Sequence, residues 1–269
     1  MIETFSQDGI VIAYRDQAAA ASARSHPALV FANSLGTDHR IWDPLMAVLA
    51  RGPLADRRML HYDKRGHGLT DGGPAAWQID DLVADLAALM AARGIADAVV
   101  VGLSVGGLIA QGLAAARPDL VRGVVLCDTA AKIGTDAMWD GRIEAVESGG
   151  MAAIVDATME RWFTAPFRAD PARLTPWRTM MLRCDPAGYS ATARAIRDAD
   201  YRERAAALSL PALAVVGEAD GSTPPEMVEQ TARLIPGCGF EVIAGAGHIP
   251  CVEQPEALAA LIEGFVTTL

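Results

Sequence analysis

The sequence predicts an α/β domain: a mostly parallel sheet covered on both faces by helices. Two observations carry this. Apolar runs without polar alternation (ALVFA, AVVVG, GVVLC, ALAVVG) have the character of strands buried on both faces. Segments with helical spacing alternate with them along the chain, as crossover connections between parallel strands require. A third observation divides the domain. Residues 131–205 hold 11 basic and 11 acidic residues, while the remainder holds 12 basic and 22 acidic and so carries the whole net charge of −10. The neutral block reads as an insertion of helices, a cap, and residues 1–130 with 206–269 as the core domain.

The elements follow in order. Gly9 separates two short runs, and GIVIAY reads as one strand of a hairpin. AAAAS at 18–22 reads as a small-residue loop. PALVFA (27–32) is a strand that stops at Asn33-Ser34-Leu35-Gly36. Trp42–Ala50 has helical spacing, and RMLHYD (58–63) is a further strand. In Ile79–Arg93, Leu82, Leu86 and Leu89 share one helical face, with Asp80 and Asp81 near the start, where acidic groups suit the helix dipole. Ala98–Val101 is a strand and Val105–Arg117 a helix; Gly123–Cys127 is a strand. Gly149-Gly150, Pro166, Pro171, Pro176 and Pro186 punctuate the helical block. Then come a strand at Pro211–Gly217, a helix from about Pro224 to Leu234, a strand at Phe240–Ala244 and a helix from Pro255 to Leu269 with proline in its first turn. Ligands of such sheets lie at the carboxyl ends of the strands.

Composition narrows the function classes. With 51% hydrophobic residues among 269, a sizeable core is expected. No apolar run reaches transmembrane length, and the first residues lack the pattern of an export signal. Cys127, Cys184, Cys238 and Cys251 are scattered, which suits a reduced cytoplasmic compartment. The acidic balance makes nucleic acid and anionic membrane poor partners. No histidine pair has metal-ligand spacing, and no phosphate-binding glycine loop follows the first strand, so neither metal nor cofactor is expected.

Gly102-Leu103-Ser104-Val105-Gly106 fits Gly-x-Ser-x-Gly between a strand and a helix, the context of a nucleophile elbow. On so sharp a turn, side chains two positions to either side of the serine would collide with the neighbouring strand and helix, and glycine avoids both collisions. Ser104 is the expected nucleophile, and a hydroxyl needs a base. Such elbows are followed along the chain by an acid and then a histidine. His26, His39, His61 and His67 precede Ser104; His248, in GAGHIP after the last strand, alone follows it. Asp220, after the strand ALAVVG, is the expected acid. Asp128, after GVVLC, is its rival, with Glu218 an outside choice; if not the acid, Asp128 is expected to serve the first turn of the insertion. The oxyanion donors are expected to be the backbone N–H groups of Val105 and Leu35, with Ser34 lining the same pocket. YDKRGHGLTD (62–71) reads as a structural turn beside the active loops rather than as a catalytic element.

Taken together, strand order, elbow, acid and histidine resemble the α/β-hydrolase fold over nearly the whole chain. Within it, NSLGTDHRIWDP (33–44), YDKRGHG (62–68), LCDTAAKIGT (126–135), GGMAAIVDATMERWFT (149–164) and VEQPEAL (252–258) resemble the 3-oxoadipate enol-lactone hydrolases of aromatic-compound degradation. Three positions depart from that pattern: Val105 where methionine is usual, and Asp128 and Cys251 where asparagine is usual. Cys251, three residues after His248, is expected to loosen the support of that histidine. The resemblance implies an eight-stranded sheet and a small anionic lactone as substrate. It also implies ring opening to 3-oxoadipate through an acyl-enzyme, without a cofactor. The acetate arm of such a lactone needs a local cation. Lys132, Arg142, Arg161, Arg183 and Arg197 are candidates; Trp139, Ile143 and Val146 share a helical face that Arg142 borders, so Trp139 is expected on the ring and Arg142 on the carboxylate. Competing readings are a generic carboxylesterase, a cofactor-free perhydrolase, and a triad-bearing ligand receptor.

Overall fold

A computed structural model describes residues 1–19, 26–72 and 76–269. Of the small-residue loop expected at 18–22, residues 20–22 lie outside them. The described residues form one eight-stranded sheet of order β1-β2-β4-β3-β5-β6-β7-β8. The strands are β1 (Glu3–Gln7), β2 (Ile10–Gln17), β3 (Leu29–Ala32), β4 (Met59–Tyr62), β5 (Ala98–Leu103), β6 (Val121–Cys127), β7 (Ala212–Gly217) and β8 (Gly239–Ile243). β2 pairs antiparallel with β1 and β4, and every other pairing is parallel. The hairpin closes through Asp8 and Gly9, both at positive φ, as a two-residue turn between twisted strands demands.

β3, β5 and β7 are buried along their whole length, as their unbroken apolar runs imply. β5 lies between β3 and β6 with Ala32 opposite Gly102. It runs two residues beyond the expected end at Val101, because Gly102 and Leu103 still pair with Leu126 and Cys127. Ser104 therefore stands directly on the strand end, and the helix Val105–Ala116 begins with the next residue. The order reverses at β3 and β5, which opens a crevice above their carboxyl ends.

Between β6 and β7 the chain forms helices only, from Asp136–Gly149 to Arg202–Ala206. Trp139, Ile143 and Val146 are the buried residues of the first of these. They join the same hydrophobic cluster as the sheet residues Phe31, Val101 and Leu126, so the helical segment shares the core beneath it. Pro171 and Pro186 sit in first turns. Pro176, read as punctuation, instead lies inside the helix Pro171–Leu182; it removes one internal hydrogen bond, and the chain stays helical on both sides.

Candidate active site

The elbow is built from the backbone outward. Ser104 has φ 56° and ψ −116°, a region that residues with side chains rarely occupy, at a cost of about 1–3 kcal/mol. A Cβ on Gly102 would lie 2.2 Å from the carbonyl oxygen of Gly106, and one on Gly106 would lie 2.0 Å from that of Ala32. The collisions argued from the sequence are therefore real, and both involve backbone, which cannot rotate aside. Gly107 adds a third, with Thr129 at 2.4 Å. Thr129 Oγ1 donates to Ser104 O at 2.6 Å, and Ser104 N–H donates to Cys127 O at 2.9 Å, which clamps the turn from both sides.

His248 arrives on the loop after β8. Its N–H donates to Trp162 O at 2.8 Å, and its ring stacks on Trp162 with centroids 6.5 Å apart. Its Nδ1 lies 2.9 Å from Asp220 Oδ2. That carboxylate also accepts from Ser222 N–H at 2.7 Å, Thr223 N–H at 3.1 Å and Thr223 Oγ1 at 2.7 Å. Burial pushes the Asp220 carboxyl up, but the His248 charge and these hydrogen bonds outweigh burial and hold it below the usual carboxylate range. Asp220 is thus the carboxylate that meets the imidazole. Glu218 accepts from Gly245 N–H at 3.1 Å and stays exposed.

Asp128 has a different place. It is wholly buried at positive φ, and its Oδ1 accepts from Gly217 N–H at 2.9 Å, so it ties β6 to β7 instead of serving the first turn of the helical segment. The reason is its position at the strand end, where it faces β7. Its Oδ2 has no partner among the described residues. Burial, then the charge of Asp220, pushes its carboxyl well above the usual range. Cys251 is buried, and its thiol is directed to Ile41 O at 3.4 Å.

Opposite the elbow, the loop after β3 carries Ser34 and Leu35. At the first position of its helix Val105 N–H has no intrahelical acceptor. Among the described residues Leu35 N–H has no backbone acceptor either. A cavity of about 340 Å³ brings together Ser104, His248, Ser34, Leu35, Trp139 and Arg142. Val105 is wholly buried and is not among the residues that line it. Trp139 Nε1 donates to Ile133 O at 2.7 Å, which fixes the indole as part of the wall. Arg142 lies over the rings of Trp139 and Tyr189, at 5.8 and 5.6 Å, and donates to Thr158 Oγ1 at 2.8 Å. Arg161, also in the cavity wall, donates to the same hydroxyl at 3.2 Å. Neither arginine has an ion-pair partner among the described residues. Burial, then the charge of Arg142, lowers the Arg161 pKa. The other candidate cations lie elsewhere: Lys132 and Arg197 pair with surface aspartates, and Arg183 lines a second cavity. Trp162 and Thr223 had no signal in the sequence, because contacts across distant loops leave no period.

The structure also assembles two triples of imidazole and carboxylate, Asp38-His39-Asp63, which sequence spacing concealed, and Asp128-Asp220-His248, whose members the sequence had put forward. In the first, all three side chains are engaged with one another or with N–H donors, Asp38 with Arg40 and Asp63 with His39 and Leu69. His67 is buried and outside the lining of the Ser104 cavity.

Residues 29–261 match the alpha/beta hydrolase family. The chain belongs to that family. The hydrolase is 36% identical over 244 residues to 3-oxoadipate enol-lactonase 1 of Acinetobacter baylyi, covering 90% of each chain. It is 32% identical to 3-oxoadipate enol-lactonase 2 of the same organism, over 89% of this chain and 88% of the relative. The solved enol-lactonase of Burkholderia xenovorans superposes with a TM-score of 0.92 at 33% identity, covering 98% of this hydrolase and all of that chain. The resemblance read from the sequence is borne out by these relatives. No described helix is long and apolar enough to cross a membrane.

Proposed function

We propose that this hydrolase opens the ring of 3-oxoadipate enol-lactone to give 3-oxoadipate, with Ser104 as nucleophile, His248 as base and Asp220 as the acid that orients it. The observation that carries the reading is one cavity in which a serine on a strained elbow, an imidazole backed by a carboxylate, and two unpaired arginines meet. The first two supply ester cleavage and the last selects an anionic substrate. The two Acinetobacter relatives act, by their names, on this lactone, and the Burkholderia neighbour, by its name, on an enol lactone.

Ser104 Oγ attacks the lactone carbonyl carbon while His248 Nε2 takes its proton. The tetrahedral oxyanion lies toward the N–H groups of Leu35 and Val105. The bond from acyl carbon to ring oxygen breaks, and that oxygen leaves as an enol with the proton from His248, then tautomerises to a ketone. An enol is a good leaving group, so proton donation is less demanding here than in amide cleavage. Water, deprotonated by His248, then attacks the acyl carbon and frees Ser104. Asp220 holds the Nδ1 tautomer and stabilises the imidazolium. Trp139 packs on the ring, Ser34 lines its edge, and Arg142 receives the carboxylate. The helices of 131–205 act as the cap. The four cysteines are free, which suits the proposed cytoplasmic location.

The test is steady-state hydrolysis of the anionic enol lactone and of neutral esters by the wild type, Ser104→Ala and Arg142→Ala. Loss of a charge-assisted contact is expected to raise KM for the lactone about 10–100-fold in Arg142→Ala and leave neutral esters unchanged. Equal rates on charged and neutral substrates in the wild type would favour a generic esterase.

A further inference from the structure

Lys64, within YDKRGHG, has no part in the reaction above. Its side chain is wholly buried, and no carboxylate lies within ion-pair distance of it among the described residues. Its ammonium instead donates to two backbone carbonyls, Ser34 O and, at 3.4 Å, Thr37 O. A buried charge without a counter-ion is costly. Burial lowers its pKa to about 7, against the opposing pull of Cys184, Asp63 and Asp38.

Ser34 O is an unusual acceptor. Besides Lys64 it takes a hydrogen bond from Thr37 Oγ1 at 2.9 Å and one from Thr37 N–H at 3.3 Å. This carbonyl belongs to the same peptide group as Leu35 N–H. In a trans peptide the N–H is directed opposite to the C=O, and the chain has no cis peptide bond among its described residues. With the carbonyl held by Lys64 and Thr37, the N–H at the other end of the plane is turned the other way. Ser34 and Leu35 both line the Ser104 cavity, and Leu35 N–H has no backbone acceptor among the described residues. A cation on the carbonyl oxygen draws electron density along the amide and makes its N–H a stronger donor.

We infer that Lys64 is a positioning residue of the oxyanion site: through Ser34 O it fixes and polarises the Ser34–Leu35 peptide, whose N–H receives the charge formed when Ser104 attacks. This rests on the reading of Ser104 as nucleophile and Leu35 N–H as oxyanion donor. Lys64 touches neither substrate nor reacting atoms. Its effect therefore belongs to the tetrahedral state and not to substrate binding.

The test uses Lys64→Met, which keeps length and removes the charge, and Thr37→Val, which removes one of the other donors to the same carbonyl. Both are assayed below about pH 7, where the ammonium holds its proton. Three readouts are taken: kcat and KM on the lactone; affinity for the product 3-oxoadipate; and affinity for an alkyl trifluoromethyl ketone, which captures a nucleophilic serine as a tetrahedral adduct with an anionic oxygen. Removal of a whole oxyanion donor costs about 10²–10³-fold in kcat, so weakening one by loss of its polarising charge is expected to cost about 10-fold. In Lys64→Met, kcat and ketone affinity should fall by the same factor, with KM and product affinity within about 2-fold. Thr37→Val should show the same pattern at about 3-fold, and it carries the test alone if Lys64→Met does not fold. A folded variant with unchanged kcat, or one in which product affinity falls while ketone affinity holds, overturns the inference. Ser104→Ala separates the two readings. If it keeps wild-type turnover, the serine mechanism fails. If it is inactive while the lysine variant matches the wild type, only the role of Lys64 fails.

Discussion

Two imidazole–carboxylate pairs stand in this molecule with the same local geometry. In each, Nδ1 lies 2.9 Å from a carboxylate oxygen, and in each the histidine side chain is 2% exposed and the aspartate fully buried: His248 with Asp220 and His39 with Asp63. Their surroundings differ. His248 lines the cavity that holds Ser104. His39 has its Nε2 buried without a partner among the described residues, and Asp63 is already engaged by the N–H groups of His39 and Leu69. The second pair braces the loop that follows β3 against the turn that follows β4. An aspartate-backed histidine is thus not by itself an active site. Both pairs border a cavity, His39 and Asp63 the one that Arg183 also lines; what sets the first pair apart is a hydroxyl raised into its cavity by a strained elbow.

That contrast can be broken most sharply at the histidines. His248→Ala is expected to lower kcat on the enol lactone about 10⁴-fold or more while the melting temperature stays within a few degrees, as for any member of a cooperating triad. His39→Ala should do the opposite: kcat within about 3-fold for the folded enzyme, and a loss of about 2 kcal/mol of stability from a buried carboxylate that loses a donor. Rates and thermal melts on the two variants decide it, and matching kcat losses would erase the distinction. The aspartates sharpen it next. Asp220→Asn should cost about 10⁴-fold in kcat, because an amide no longer selects the productive tautomer.

Asp128→Asn should have the smallest effect on rate, within about 3-fold, with a pH-dependent gain in stability. Its folded pKa is raised, burial first and Asp220 second. The unfolded carboxyl ionises near its ordinary value of 3.8, while the folded one keeps its proton or bears a buried charge. The penalty in the wild type is therefore absent at low pH and grows as pH rises above that value. Thermal melts should show the variant's advantage at pH 7 and its disappearance toward pH 4. A constant difference across that range would mean that Asp128 does not titrate as its surroundings imply.

Much of the molecule was legible because its signals are local. The elbow could be read from two glycines and a serine, since the collisions that exclude side chains arise within a few residues and one strand partner. The order of nucleophile, acid and histidine singled out His248, because only one histidine follows Ser104, and left Asp220, the expected acid, in competition with Asp128 and Glu218. What stayed hidden depends on distant loops meeting. Nothing in 62–71 announces that Lys64 reaches the carbonyl of Ser34, or that Asp63 pairs with His39, and Trp162 has no periodic reason to lie against His248. Arg161 stood among several equal cations until the fold placed it beside Arg142 at one threonine hydroxyl. Asp128 is instructive in the other direction: its position after a strand suits an acid, but only coordinates show that its carboxyl is committed to Gly217.

The central claim is covalent chemistry at one oxygen, and acid-quench mass spectrometry of the enzyme during lactone turnover tests it most directly. Because the leaving oxygen of a lactone remains attached to the acyl chain, the adduct should equal the mass of the whole lactone. It should map to the peptide containing Ser104, form in the first turnover, and be missing in Ser104→Ala. Full turnover with no such adduct, together with a Ser104→Ala variant that opens the ring at the wild-type rate, would contradict the account.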